Sequence, residues 1–264
     1  MDYSGKIIWI TGATSGIGKS MAIELARAGR KLILSGRNEK ALQDTAENCT
    51  KLGAEVTCIP FDLGDMSSIE QAAKTVLQEF KTVDCLYHVG GFSQRAFVLD
   101  TPLDIDRKIM EVNFFGTVAL TKAILPVMIK NGGGHICVTS SIVGKFGFPY
   151  RSAYSASKQA LHGFFESLRA ENVINNVRVS IIIPGRINTN ISLNAINEKG
   201  EKHGIMDDGQ ANGTPADKAA RKIVRKLERE KKEILVGGKE LMMVHIRRFL
   251  PSLYYRLSAK VKPL

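Results

Sequence analysis

Residues Thr11-Gly12-Ala13-Thr14-Ser15-Gly16-Ile17-Gly18 decide the fold. They follow a short apolar run at 6–10 and open a helical stretch at 19–28 that Gly29 stops. Gly12 permits a sharp turn out of a strand. Gly16 and Gly18 let a pyrophosphate approach the backbone and let the helix pack tightly on the strand. The helix start adds free N–H groups and a positive dipole end. The G-x-x-x-G-x-G spacing differs from the commoner G-x-G-x-x-G, but the mechanics carry over. The reading is a dinucleotide-binding turn; a merely tight strand-to-helix connection is the alternative.

Outward from this turn, short apolar strands alternate with helices. Strands are expected at 32–34, 56–60, 85–89, 135–139, 177–183 and 233–236. Helices are expected from a cap at Asn38 to residue 51, and at 67–80, 103–115, 116–130, 152–172 and 216–231. This alternation implies βαβ units and a parallel sheet covered on both faces. Right-handed crossovers make it a doubly wound, Rossmann-type α/β fold of about seven strands. Residues 1–238 read as one domain and 239–264 as a basic, amphipathic, helical extension. The connection 186–214 is long, polar and punctuated by Ile191, Leu193, Ile196, Ile205 and Met206, and reads as a substrate lid.

The chain has 264 residues, 44% of them apolar and 24% charged, which excludes a disordered or fibrous class. No apolar run approaches the roughly 18 residues of a membrane span. Residues 1–5 lead straight into the first strand, so no signal peptide is expected. Cys49, Cys58, Cys85 and Cys137 show neither C-x-x-C nor paired disulfide spacing. The expected compartment is reducing and cytoplasmic. The net charge is +11, and 16 basic against 8 acidic residues from Lys199 onward supply +8 of it. Such a basic third can meet an anionic partner, but a solvated lysine-rich helix is the preferred reading, with no nucleic-acid partner.

The end of the second strand bears on the cofactor. An NAD site wants an acid about 20 residues past the glycine turn, to hold the ribose 2′-hydroxyl. Here Ser35-Gly36-Arg37 stands there. Arg37 offers a planar cationic fork for a 2′-phosphate and Ser35 a hydroxyl, so NADP(H) is preferred over NAD(H).

Thr139-Ser140-Ser141 closes the fifth strand, at the sheet edge where open α/β folds bind ligands. Thirteen residues past Ser141, Tyr154-Ser155-Ala156-Ser157-Lys158 opens a helix, with Tyr154 and Lys158 one turn apart on one face. A free phenol has a pKa of about 10; bringing it to about 7 needs roughly 4 kcal/mol in favour of the phenolate. A lysine one turn away, with an oxidised nicotinamide, could supply much of that.

These motifs resemble the short-chain dehydrogenase/reductase family in its compact branch, from Thr11 to about Gly238. The carriers are the Thr11–Gly18 turn, Asp62-Leu63, Asn113-Phe114-Phe115-Gly116, Ser141, the Tyr154/Lys158 pair, and Pro184-Gly185 with Thr189. The resemblance implies a catalytic set of Asn113, Ser141, Tyr154 and Lys158. Tyr154 would be the general acid in carbonyl reduction and the base in alcohol oxidation. Lys158 would lower its pKa and bind ribose, Ser141 would orient the substrate oxygen, and Asn113 would hold a relay water. Cofactor contacts would come from Gly12, Thr14, Ser15, Gly16, Ile17, Gly18, Ser35, Arg37, Asp62, Leu63, Gly90, Gly91, Asn113, Tyr154, Lys158, Pro184, Gly185, Ile187 and Thr189. Ser140 competes for the serine role, but the thirteen-residue spacing selects Ser141. One departure stands out: His88-Val89-Gly90-Gly91 replaces the family's N-N-A-G, which puts the fourth-strand cofactor contacts in question. His88 is read as a structural hydrogen-bond partner, and no histidine sits in a metal-ligand pattern.

Phe92, Val143, Phe146, Phe148, Tyr150, Ile191 and Met206 cluster where a substrate should lie, unless they are core. The expected substrate is a bulky, apolar carbonyl or alcohol of steroid, retinoid, lipid or xenobiotic type. A 3-oxoacyl-carrier-protein reductase and a non-catalytic nucleotide-binding protein are the alternatives. The tail reads as two short helices split by Pro251, better suited to packing or dimerisation than to membrane contact. With the Phe148–Tyr154 stretch, it resembles the family-member-7 group of dehydrogenase/reductases. The family also implies a homodimer or homotetramer through the helices at 116–130 and 152–172.

Overall fold

The computed structural model describes residues 3–26 and 29–260. β1 (Ile7–Thr11) runs through the glycine turn into α1 (Gly16–Leu25). The far end of the helix expected there, residues 27–28, lies outside the described residues. β2 (Lys31–Ser35) leads to α2 (Glu39–Lys51), where the Asn38 side chain accepts the Ala41 N–H at 3.0 Å as the expected cap. β3 (Glu55–Cys58) precedes α3 (Met66–Phe80), which Asp65 caps by accepting from Ser67 and Ser68. β4 (Cys85–His88) precedes α4 (Leu103–Met110), a π-turn at Glu111–Phe115, and α5 (Gly116–Lys130). Then come β5 (Gly134–Thr139), α6 (Ser152–Glu171) and β6 (Val177–Pro184).

The connection read as a lid carries β7 (Ile187–Asn188) and α7 (Asp208–Ala211), and ends at β8 (Thr214–Pro215), which pairs with β7. α8 (Ala216–Glu228) and β9 (Glu233–Val236) complete the sheet. The tail forms α9 (Met242–Phe249) and α10 (Pro251–Ser258), with Pro251 in the first turn of α10.

The seven strands are parallel, in the order β3-β2-β1-β4-β5-β6-β9. Alternate side chains on each strand feed two cores. Ile8, Ile10, Leu32 and Leu34 face α1, α2 and α8. Trp9 and Ile33 face the other way, toward α3, α5 and α6. Burial on both faces explains why the strands read as apolar runs rather than polar–apolar alternations. The direction of winding reverses between β1 and β4. A crevice therefore opens at the strands' carboxyl ends, beside Thr11 and His88.

One expectation is corrected. The two stretches at 103–115 and 116–130 form a single helix of 28 residues, and one 18-residue window in it has mean hydropathy 1.6. It is the one helix among the described residues long and apolar enough to cross a membrane. The sequence reading missed it by breaking the helix at Gly116. Here its Leu120, Ile124 and Met128 are fully buried in the core against the sheet.

Gly116 is where that helix touches another segment backbone to backbone. A Cβ there would stand 2.0 Å from the Leu63 carbonyl oxygen. Alanine is the better helix former by about 1 kcal/mol. Overpacking against backbone costs about 1–3 kcal/mol. Gly116→Ala should therefore lower Tm by a few degrees in calorimetry; a raised Tm would show that the Leu63 turn yields.

Candidate active site

The Gly-rich turn meets the chemistry required of it. Gly12 and Gly16 have φ of +70° and +52°, a region that favours glycine. A Cβ on Gly12 would lie 2.6 Å from the Gly90 backbone. Ser15 sits at the start of α1 without a side-chain cap, and the first turn holds no acid. Its N–H groups are thus available to an anion. Around them the structure gathers the expected rim. Thr14 lies against Gly36, Thr189 over Gly16, and Leu63 over Gly90. Gly91 sits between Asn113 and Lys158. The residues fit a dinucleotide.

Three members of that set behave differently from expectation. Ser35 is fully buried and its Oγ accepts the Trp9 indole N–H at 2.8 Å, so it is a core residue and not part of the phosphate rim. The Ile187 carbonyl is already engaged by the Gln210 side-chain amide from α7, which also reaches Thr189 Oγ1 at 3.5 Å. Gly185 packs against the Glu240 carboxylate, which accepts the N–H groups of Arg186 (2.7 Å) and Gly238 (2.9 Å). Arg37 stays on the rim, with its guanidinium 3.7 Å from Asp62.

The fourth-strand departure resolves into two substitutes. His88 is buried and its Nε2 pairs with Thr121 Oγ1 at 2.9 Å, the structural contact expected of it. Burial pushes its pKa down to about 3, so the imidazole is neutral. Thr11 Oγ1 meanwhile accepts the N–H groups of Val89 (3.2 Å) and Gly90 (3.4 Å) and holds the turn.

At the other end of the crevice, α6 brings Tyr154 and Lys158 to one face. Lys158 Nζ lies 5.8 Å from the Tyr154 ring centroid and donates to the Thr139 carbonyl at 2.8 Å. Ser140 is buried and donates its hydroxyl to the Lys158 carbonyl at 3.0 Å. The Ser141 hydroxyl accepts the Val143 N–H at 3.4 Å and acts to lower the Tyr154 pKa. Asn113 lies in the π-turn, a feature frequent at functional sites. Its Nδ2 donates to the Phe92 carbonyl and to Ser157 Oγ, and its Oδ1 accepts the Phe92 N–H.

The electrostatics differ from the two-residue picture. Burial pushes the Tyr154 phenol up, and burial pushes Lys158 down to about 8. The groups that pull the phenol back down are the Ser141 hydroxyl and the guanidiniums of Arg95 and Arg151. Sequence reasoning missed both arginines. They bracket Asp207, which accepts from Arg95 Nε at 3.1 Å and from Arg151 at 3.1 Å. It also missed Gln94, whose Oε1 accepts the Ala153 and Tyr154 N–H groups and caps α6 from outside. No periodic signal marks these residues, because Gln94 and Arg95 follow β4 while Asp207 lies more than a hundred residues on.

The apolar cluster divides. Val143 and Phe146 are buried with Tyr154 and Tyr254, and Phe92 packs on Ile105 and Ile109. Phe148, Tyr150, Ile191 and Met206 are half-buried. One possible metal-ligand grouping appears that the sequence spacing did not reveal. His162, Glu166 and Glu233 bring ligand atoms within 4.8 Å of one another. The Lys145 ammonium, 2.5 Å from Glu233, already supplies a positive charge there.

Burial pushes the Asp207 carboxyl up, but the hydrogen bond and charge of Arg95 and the charge of Arg151 outweigh it, so its pKa falls below the ordinary 3.8. A depressed carboxyl stabilises the fold above its unfolded pKa and loses that contribution as pH falls through the folded value. Asp207→Ala leaves two buried guanidiniums unbalanced and should cost about 3–5 kcal/mol at pH 7. The gap between variant and wild type in urea unfolding should narrow below about pH 4. A gap of under about 1 kcal/mol at pH 7 would show that the arginines find other partners.

The comparisons agree with this geometry. The family model described as short chain dehydrogenase matches residues 6–200. A Drosophila melanogaster dehydrogenase/reductase SDR family protein 7-like is 42% identical over 261 residues, covering 97% of this chain and 80% of the relative. A Mus musculus dehydrogenase/reductase SDR family member 7B is 43% identical over 258 residues, covering 96% and 80%. A short-chain dehydrogenase/reductase from Burkholderia phymatum, solved in complex with NAD, superposes with a TM-score of 0.84 at 23% identity. It covers 100% of this chain and 98% of its own, and shows the same fold. An alcohol dehydrogenase from Thermococcus sibiricus, complexed with 5-hydroxy-NADP, gives 0.75 at 26% identity over 89% and 97%. With a nucleotide-binding turn at one end of the crevice and a serine–tyrosine–lysine cluster at the other, this chain belongs to the short-chain dehydrogenase/reductase family of oxidoreductases.

Proposed function

We propose that this chain is an NADP(H)-dependent carbonyl reductase or alcohol dehydrogenase for a bulky apolar substrate. The observation that carries this reading is the buried Tyr154–Lys158 pair on one face of α6 at the strand ends, with Lys158 Nζ 5.8 Å from the phenol ring centroid. The nicotinamide, when bound, supplies or takes up the hydride. Tyr154 Oη gives its proton to the carbonyl oxygen in reduction and removes the alcohol proton in oxidation. Ser141 donates to the same oxygen and orients it. Lys158, with Arg95 and Arg151, favours the charged phenolate that proton donation leaves behind. Half-buried Phe148, Tyr150, Ile191 and Met206 support an apolar substrate. Arg37, exposed on the rim and steadied by Asp62, supports a 2′-phosphate. The half-exposed Phe115 beside the Phe114–Phe164 ring pair supports a homo-oligomer through α5 and α6. Cys49, Cys58, Cys85 and Cys137 form no disulfide among the described residues, which supports a reducing compartment such as the cytoplasm.

A panel of carbonyl substrates, followed by NADPH and NADH consumption, tests the reading. Apolar ketones or aldehydes should be reduced with NADPH, and Tyr154→Phe should lower kcat by about 10²–10⁴-fold. Equal rates for Tyr154→Phe and wild type would overturn the proton-donor role. Turnover confined to small polar sugars or carrier-linked 3-oxoacyl groups would overturn the substrate class. Arg37→Ala should raise the KM for NADPH about 10- to 100-fold, the loss of one hydrogen bond between charged groups, with the KM for NADH unchanged.

A further inference from the structure

The two tail helices use only one side of themselves on their own domain. Tyr254 is buried; its ring centroid lies 5.1 Å from that of Phe146 and its hydroxyl donates to the Gly147 carbonyl. Met243, Val244 and Ile246 pack into the same cluster, which reaches Tyr154. This is the packing on the domain that the sequence favoured.

The other side is bare. Met242, His245 and Phe249 fall at i, i+3 and i+7 on α9, and Leu253, Arg256 and Leu257 at i, i+3 and i+4 on α10. All six are exposed, as is Leu250 between the helices. Phe249 is 69% exposed and Leu250 56%. Single exposed apolar residues need no explanation; a contiguous set on consecutive helices marks an interaction face.

Charge identifies the partner. Residues 241–264 hold Arg247, Arg248, Arg256, Lys260 and Lys262, with no aspartate or glutamate. The arginines lie on aromatic rings. Arg247 stands 5.2 Å from the Tyr255 centroid and Arg248 5.8 Å from that of Phe249. An isologous contact with a second copy would set these cations against their own equivalents, with no local acid to pair them. An anionic lipid surface answers both features. Its acyl boundary takes the apolar side chains, and its headgroups pair with the guanidiniums.

We infer that α9 and α10 dock this protein on an anionic lipid surface, with Phe249, Leu250 and Leu253 sunk below the headgroups. Tyr254 then sets the Phe146–Arg151 loop, which leads into Tyr154, beside that surface. The same loop meets exposed Phe97 on its other flank, through rings 4.5 Å apart at Tyr150. The docking itself does not depend on the substrate class proposed above.

Full-length protein sedimented with vesicles tests the inference. It should bind phosphatidylcholine vesicles doped with phosphatidylserine far better than phosphatidylcholine alone, and added salt should weaken the binding. Neutralising Arg247, Arg248 and Arg256 to Gln should lower the affinity on the order of a hundredfold. Phe249→Ser with Leu253→Ser should abolish sedimentation. Calorimetry and light scattering of each variant check folding and mass. If a variant does not fold, the lipid and salt dependence of the wild type still decides. Wild type left in the supernatant with both vesicle types would overturn the inference. So would equal binding to both, or variants that bind as wild type does. A wild-type dimer that the Phe249/Leu253 variant converts to monomer would also overturn it, making the face a contact between copies.

Discussion

Gln94 Oε1 accepts the N–H groups of Ala153 and Tyr154, and α6 begins there because of it. Arg151 at the cap position supplies no side-chain acceptor. Without one, the first N–H groups of a buried helix would be left unsatisfied. The acceptor comes from the segment after β4, so the start of α6 is registered against the sheet rather than against its own preceding loop. One turn on, Lys158 falls at the end of β5, where the Thr139 carbonyl receives its ammonium. Ser140 then holds the Lys158 carbonyl. Each step is a hydrogen bond from one segment to the backbone of another.

Burial is the dominant electrostatic fact in this pocket. It raises the phenol and lowers the amine to about 8, so two groups that are close in proton affinity when free are driven apart, with the phenol the weaker acid. A lysine alone would be a poor remedy, because its own charge is penalised by the same desolvation. The arginines beside Asp207 answer that difficulty. The pair is held by a single carboxylate, so the cluster keeps a net positive charge next to Tyr154. Asp207 belongs to the connection over the crevice, and this ion network ties that connection to the loop that leads into α6. Backbone pairing between Gln94 and Ile196 makes a second tie.

Much of the architecture was legible because local rules suffice for it. The glycine turn, the Asn38 cap, Pro251 and the two-faced apolar strands each announce themselves within a few residues. Spacing also selected Ser141 over Ser140 for the serine role, and the Ser140 hydroxyl is engaged with the Lys158 carbonyl. Ser35 shows the limit. Its position beside Arg37 looked like a phosphate rim, but strand alternation points it at Trp9. The break placed at Gly116 failed for a related reason. Glycine weakens a helix by about 1 kcal/mol, less than packing on the sheet returns.

The sequence by itself determined the parallel sheet, the nucleotide turn and the tyrosine–lysine spacing, because periodicity and backbone sterics act over a few neighbouring residues. Only the tertiary structure decided which charges surround the phenol, what caps α6, and which side of the tail stays bare. Those depend on segments such as Arg95 and Asp207, or Tyr254 and Gly147, that lie about a hundred residues apart and meet only when the chain has folded.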